Sequence, residues 1–149
     1  MMTTLLAAKL QLGTERPVPG GPIWVRMTIT NDSDEKVEVA NPEVGVPPPN
    51  LGWKASNQAY QIALLMSFGL MKIALNDAKG QLVESKGLMP WVTPSMGKRV
   101  LQPHEHLVID FDLNELFSIE SAGVYRLRIR YGDEAIYAEA SMNIEIRTS

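Results

Sequence analysis

The sequence predicts an all-β fold, a sandwich or barrel of about seven to eight antiparallel strands. Apolar residues recur at every second position, which is the period of a strand and not of a helix. Clusters of Gly, Pro, Asn and Asp separate these stretches at fairly regular intervals. No convincing long helix lies between them, as a parallel α/β sheet would require.

The first predicted strand covers residues 23–30, where Ile, Val and Met alternate with mostly polar side chains. Such alternation predicts one face toward the core and one toward water. Residues 31–34 (Asn-Asp-Ser-Asp) predict a turn, because these side chains bond the nearby backbone. A short strand should follow at Val37 and Val39.

The middle of the chain mixes loops with further strands. Residues 41–53 contain four prolines and read as a loop, since proline removes a backbone donor. Residues 55–67 alternate and are interpreted as a strand, although the spacing of Ile62, Leu65 and Met66 would also fit a helical turn. Residues 71–75 predict a strand, and 77–80 a hairpin turn leading into a return at 81–84.

The C-terminal half predicts three strands after a loop at residues 85–98. Alternation at 107–113 is followed by one helical turn at 114–117, which we expect Asn114 to cap. A strand then follows Gly123 and includes Tyr125. The turn at residues 132–133 leads to a last strand over 136–146.

Composition limits the functional classes. A length of 149 residues with 45% hydrophobic and 21% charged residues predicts one globular domain over 1–149. A net charge of −3 gives no reason to expect a nucleic-acid partner. No apolar stretch is long enough to cross a membrane. No cysteine is present, which excludes thiolate chemistry.

No signal peptide is visible in the first twelve residues, so the chain as given is expected to be cytoplasmic. Export after removal of a signal stays open. We expect no cofactor and no enzyme activity, because no Gly-x-Ser-x-Gly elbow, P-loop or dinucleotide-binding motif occurs.

Residues 100–131 carry a familiar arrangement of motifs. A Leu-x-Pro-x-Glu corner at 101–105 precedes an alternating strand, and Gly-Val-Tyr at 123–125 begins the next. Together with Thr-Ile-Thr-Asn-Asp-Ser at 28–33, this resembles the immunoglobulin-like accessory domains of many bacterial proteins, including those preceding some metallopeptidase domains. The resemblance implies an immunoglobulin-like β-sandwich, with Tyr125 suited to a tyrosine corner.

A second motif, Asn-Pro-Glu-Val-Gly at 41–45, resembles a loop of chagasin-like inhibitors of cysteine proteases. These inhibitors are also immunoglobulin-like, and their loops plug an active-site cleft. The Arg-Pro-Trp loop of that family should follow the strand that ends near Tyr131, but Gly-Asp-Glu stands there. Met-Pro-Trp at 89–91 is similar in composition and lies elsewhere in the chain.

Several polar clusters are candidate sites with simpler explanations. His104 and His106 lie two apart, as metal ligands on a strand can, but two ligands do not complete a zinc site. We therefore expect a solvated loop and no metal. Asp110 and Asp112 could serve as paired catalytic carboxylates, yet solvated charges on an outer face explain them better.

An arginine stripe is predicted on one strand, at Arg126, Arg128 and Arg130. It could bind an anion or an acidic partner. The last strand places glutamates on the same face, so we expect cross-strand Arg–Glu pairs to neutralise the stripe.

Two loops supply the candidate binding residues. Three prolines pre-order part of the first loop, and tryptophan is enriched at binding hot spots. If both loops emerge at one end of the sandwich, they would form one recognition surface. We expect a non-enzymatic module that binds another protein there. The alternatives are carbohydrate binding, chagasin-like protease inhibition, or tryptophans that merely cover the core. The residues concerned are Pro47, Pro48, Pro49, Trp53, Pro90 and Trp91.

Overall fold

A computed structural model describes residues 6–40, 62–63, 65–66, 68–86, 98–133 and 135–148. Within these ranges the chain forms eight strands and a short helix, besides the helical residues 62–63 and 65–66. Their bounds are β1 (Leu6–Leu12), β2 (Trp24–Asn31), β3 (Val37–Ala40), β4 (Met71–Asn76), β5 (Lys98–Leu101), β6 (His106–Asp112), α1 (Leu113–Leu116), β7 (Gly123–Gly132) and β8 (Tyr137–Ile146).

The strands form two three-stranded antiparallel sheets and a two-stranded ribbon. The first sheet has the order β1-β2-β6, the second has the order β4-β7-β8, and β3 pairs with β5. Side chains from both larger sheets, such as Met27 and Leu127, join one buried cluster. The all-β, sandwich-like fold of eight antiparallel strands predicted from the alternation is therefore confirmed.

Alternation along β2 follows the prediction. Val25, Met27 and Ile29 are buried, while Trp24 and Arg26 are exposed. The turn after β4 also forms, since the Asp77 amide donates to the Gln81 carbonyl (2.8 Å). The predicted return at 81–84 is not a strand, because only an isolated bridge joins Leu82 to Asn76. Where a predicted strand forms, period-two patterning identifies its buried face.

The interpretation of residues 55–67 as a strand is wrong for the part that the structure describes. Residues 62–63 and 65–66 are helical. Ile62 and Leu65 are three positions apart, so a helical turn places them on one side, and both are buried. The apolar spacing satisfied both periods, and burial of this pair fits the helix.

Two further expectations need correction. Residues Leu6–Leu12 form β1, which was not predicted as a strand; its alternation is weak because alanine occupies both faces. The helical turn is α1, and its N-cap is Asp112, not Asn114. The Asp112 Oδ1 atom accepts from the Asn114 amide (3.0 Å), the usual role of an aspartate one position before a helix.

No helix among the described residues is long and apolar enough to cross a membrane.

The corner between β5 and β6 lies at residues 102–105, as the sequence suggested, and His104 there has a positive φ of 65°. A positive φ is uncommon for a residue with a side chain, so surrounding contacts must hold this corner.

Asn31 supplies those contacts from a fully buried position. Its Nδ2 donates to the Leu101 carbonyl (2.9 Å) and to the Glu35 carbonyl (2.7 Å). Its Oδ1 accepts from the Ser33 amide (3.0 Å). Its backbone carbonyl accepts from the His104 amide (2.7 Å). Through its side chain and its backbone, this one residue therefore joins the end of β2, the turn that follows it and the β5–β6 corner.

Replacing the Asn31 amide by a carboxylate tests this connection. In Asn31→Asp the two donated hydrogen bonds become contacts between oxygens, around a buried charge. We expect the free energy of unfolding to fall by roughly 2–4 kcal/mol, measured by urea denaturation at neutral pH. The matched control is Asn143→Asp, the same change at an exposed position of β8. Equal losses in the two variants would contradict the role assigned to Asn31.

Candidate functional site

The predicted end-loop surface lies outside the described residues. All six of its candidate residues, and the Asn-Pro-Glu-Val-Gly motif at 41–45, fall outside the described ranges. The surface therefore stays a prediction. Its members are Pro47, Pro48, Pro49, Trp53, Pro90 and Trp91.

The histidine pair contacts ordinary protein groups. His106 Nδ1 lies 2.7 Å from the Thr30 hydroxyl on the neighbouring strand. His104 occupies the β5–β6 corner. Within the described ranges, no group of three or more His, Asp and Glu side chains is placed to hold a metal ion.

The carboxylates of β6 have separate structural partners. Asp110 accepts two hydrogen bonds from Arg26, at 2.8 and 2.9 Å, across the β2–β6 pairing. This bonding lowers the pKa of Asp110. Asp112 accepts from the Ile23 amide (2.8 Å) as well as capping α1. Asp110 therefore joins β2 to β6, and Asp112 holds the start of α1 and the residue before β2.

A cationic face covers the outside of the second sheet. We define it by Lys72 on β4 and by Arg126, Arg128 and Arg130 on β7. The inward residues of β7 alternate with these arginines and are buried, so the arginine side chains lie on the outer side of the sheet. Lys72 stands directly opposite Arg130, and like charges at such positions repel each other.

The expected pairing of arginines with glutamates is met in register at one position and fails at the other two. Arg126 pairs in register with Asn143, and Arg128 pairs with Ser141. Glu139 stands opposite Arg130 alone. Among the described residues, no ion pair joins these arginines to a carboxylate. The other glutamate of that face, Glu145, stands opposite Val124.

Neutral side chains hold the arginines instead. Arg128 donates to the Asn76 Oδ1 atom (3.1 Å), and Arg126 lies 3.4 Å from the Ser141 hydroxyl. The Arg130 guanidinium sits 4.2 Å from the centre of the Tyr137 ring, within cation–π range. These contacts orient the guanidinium groups without cancelling their charge.

The β7–β8 hairpin fixes this register. Gly132 has a φ of 113°, and a side chain there would meet the Ile136 carbonyl at 2.2 Å. Asp133 Oδ1 accepts from the Ala135 and Ile136 amides (2.8 and 2.7 Å). The tight turn therefore determines which β8 residue faces each arginine.

The cationic face is concave. A shallow hollow of about 560 Å³ runs along β7, because the small side chains of Ala74 and Ser141 flank Arg128. A second hollow of about 260 Å³ shares Lys72 and Arg130 with it and reaches Phe68. Sequence reasoning missed Lys72 and Phe68; the alternation of Lys72 with Met71 and Ile73 was the available signal.

No protein-family model matches the chain, and no curated protein matches it. Among solved structures, the chain is similar to one described as "Crystal structure of BslA - A bacterial hydrophobin". That likeness has a TM-score of 0.40 and 10% sequence identity, and covers 100% of this chain and 99% of the other.

The Arg26–Asp110 pair predicts a pH-dependent contribution to stability. The pKa of Asp110 is lower in the folded than in the unfolded protein. The pair therefore contributes its full stabilisation above the unfolded pKa of about 3.9, and this stabilisation is lost as the pH falls through the folded pKa. We expect Asp110→Asn to be less stable than the parent at neutral pH, with the difference shrinking below about pH 4.

Urea denaturation across this pH range measures the difference. The control is Asp34→Asn, which removes an exposed carboxylate from the turn after β2. A difference for Asp110→Asn that is constant with pH would contradict the assigned pairing.

Proposed function

We propose that this protein is a non-enzymatic protein-binding module that recognises an acidic partner through the cationic face. The observation that carries the proposal is the row of three arginines, which among the described residues make no ion pair with a carboxylate although Glu139 faces Arg130. On a chain of net charge −3, such a face is a local reversal of sign. It would attract acidic groups and orient them before contact.

The repulsion within the face supports this function. Lys72 and Arg130 are direct cross-strand neighbours, and the arginines repeat at every second residue of one strand. A partner that supplies carboxylates would relieve this repulsion and gain charge-assisted hydrogen bonds. The neutral contacts to Asn76 and Tyr137 hold the guanidinium groups in place, which reduces the entropy lost on binding.

We further infer that the sandwich is immunoglobulin-like. The orders β1-β2-β6 and β4-β7-β8 correspond to the A-B-E and C-F-G sheets of that fold. Near the start of β7, the Tyr125 hydroxyl donates to the Ser121 carbonyl (2.7 Å), the geometry of a tyrosine corner. The arrangement departs from the constant-type pattern in one respect, since β5 pairs with β3.

Removing two charges from the face tests the proposal. Tagged protein and the variant Arg126→Gln, Arg128→Gln are used to capture partners from the source organism's lysate, with identification by mass spectrometry. We expect an acidic protein to be retained by the parent, about tenfold less by the variant, and progressively less as salt increases.

The matched control is Lys9→Gln, Lys36→Gln, which removes the same charge at exposed positions outside the face. The control should retain the partner as the parent does. Equal capture by all three proteins would contradict the proposal, as would capture that nuclease treatment abolishes.

The predicted end loops provide a second test of protein binding. If Trp53 and Trp91 belong to a recognition surface, Trp53→Ala and Trp91→Ala should weaken partner capture while the melting temperature changes little. Thermal unfolding is followed beside the capture assay. A large drop in melting temperature would instead assign the tryptophans to the core.

A further inference from the structure

We infer that the acidic partner binds as an extended segment, with carboxylates at alternate residues and an apolar side chain beyond them that packs on Phe68. This inference rests on the proposed function of the cationic face. It adds the chemistry and conformation of the segment that the face would recognise.

The spacing of the arginines favours an extended segment. Arg126, Arg128 and Arg130 are successive outward positions of β7, so their Cα atoms lie about 7 Å apart. An extended chain repeats its side chains on one side with the same period. Carboxylates at every second residue would therefore meet three successive guanidinium groups.

The shape of the face favours the same arrangement. The larger hollow follows β7 from Arg126 to Arg130 and is flanked by side chains of β4 and β8. The hollow forms beside Arg128 because its two cross-strand neighbours, Ala74 and Ser141, have small side chains. A single extended chain lying along the row could therefore reach the Arg128 guanidinium without meeting bulky side chains, while at Arg130 it would lie between Lys72 and Glu139.

An apolar contact is available where the row ends. The second hollow continues from Lys72 and Arg130 to Phe68, whose side chain is 55% exposed in the turn before β4. The Asp133 carboxylate also borders this hollow, but its Oδ1 atom is already bonded to two amides of the hairpin. An apolar residue of the partner, placed beyond its last carboxylate, would remove the Phe68 ring from water.

Synthetic peptides test this arrangement directly. The probes are fluorescein-labelled seven-residue peptides with glutamate at alternate positions and serine between them. One ends in leucine, its reverse begins with leucine, and a third has serine in place of leucine. Fluorescence anisotropy at low salt measures their affinity for the full chain.

We expect one of the two leucine peptides to bind the parent protein about fivefold more tightly than the serine peptide. Phe68→Ser should abolish that gain. Leu82→Ser should keep it, because Leu82 is also an exposed apolar side chain but follows the opposite end of β4. Arg126→Gln, Arg128→Gln should weaken all three peptides.

Each other outcome has a distinct meaning. Equal binding of the three peptides, all weakened by the arginine variant, would overturn the Phe68 contact and leave the proposed function standing. No binding of any acidic peptide would overturn both. Tighter binding of a single-stranded oligonucleotide or heparin of equal charge would overturn the assignment to a peptide segment.

Discussion

The fold depends on one buried polar side chain. Asn31 stands where β2 leaves its sheet, and its amide satisfies carbonyls from the following turn and from the end of β5. Its backbone bonds the β5–β6 corner on the other side. A buried amide with every contact made specifies a unique arrangement, because any displacement leaves polar groups without water or partners.

This constraint has consequences far from the turn. The chain runs from β2 to the β3–β5 ribbon and later returns to β6, which pairs with β2. By joining both passages, Asn31 determines where the first sheet ends and where the ribbon starts. The second sheet packs its inward face on the same buried cluster, so its outer face is left to the cationic residues.

The sequence predicted which side chains face the core more readily than it predicted which residues pair across neighbouring strands. Alternation assigned Tyr125, Leu127 and Ile129 to the core because side-chain direction in a strand depends on parity alone. The partner of each arginine depends on the pairing offset, which the tight turn at Gly132 determines and parity does not. The expectation of Arg–Glu pairs failed at that step for Arg126 and Arg128, which face Asn143 and Ser141. The helical residues at 62–63 and 65–66 were assigned to a strand because a short apolar run fits both periods.

The arginines on β7 also favour the correct register of the second sheet. If β7 slipped by one residue against its neighbours, three guanidinium groups would enter the core and its apolar side chains would face water. Burying such charges without partners is costly enough to make the slipped pairing unstable. The residues proposed to attract a partner thus also disfavour a misaligned strand pairing while the chain folds. Mutations that neutralise them would make the slipped pairing less unfavourable.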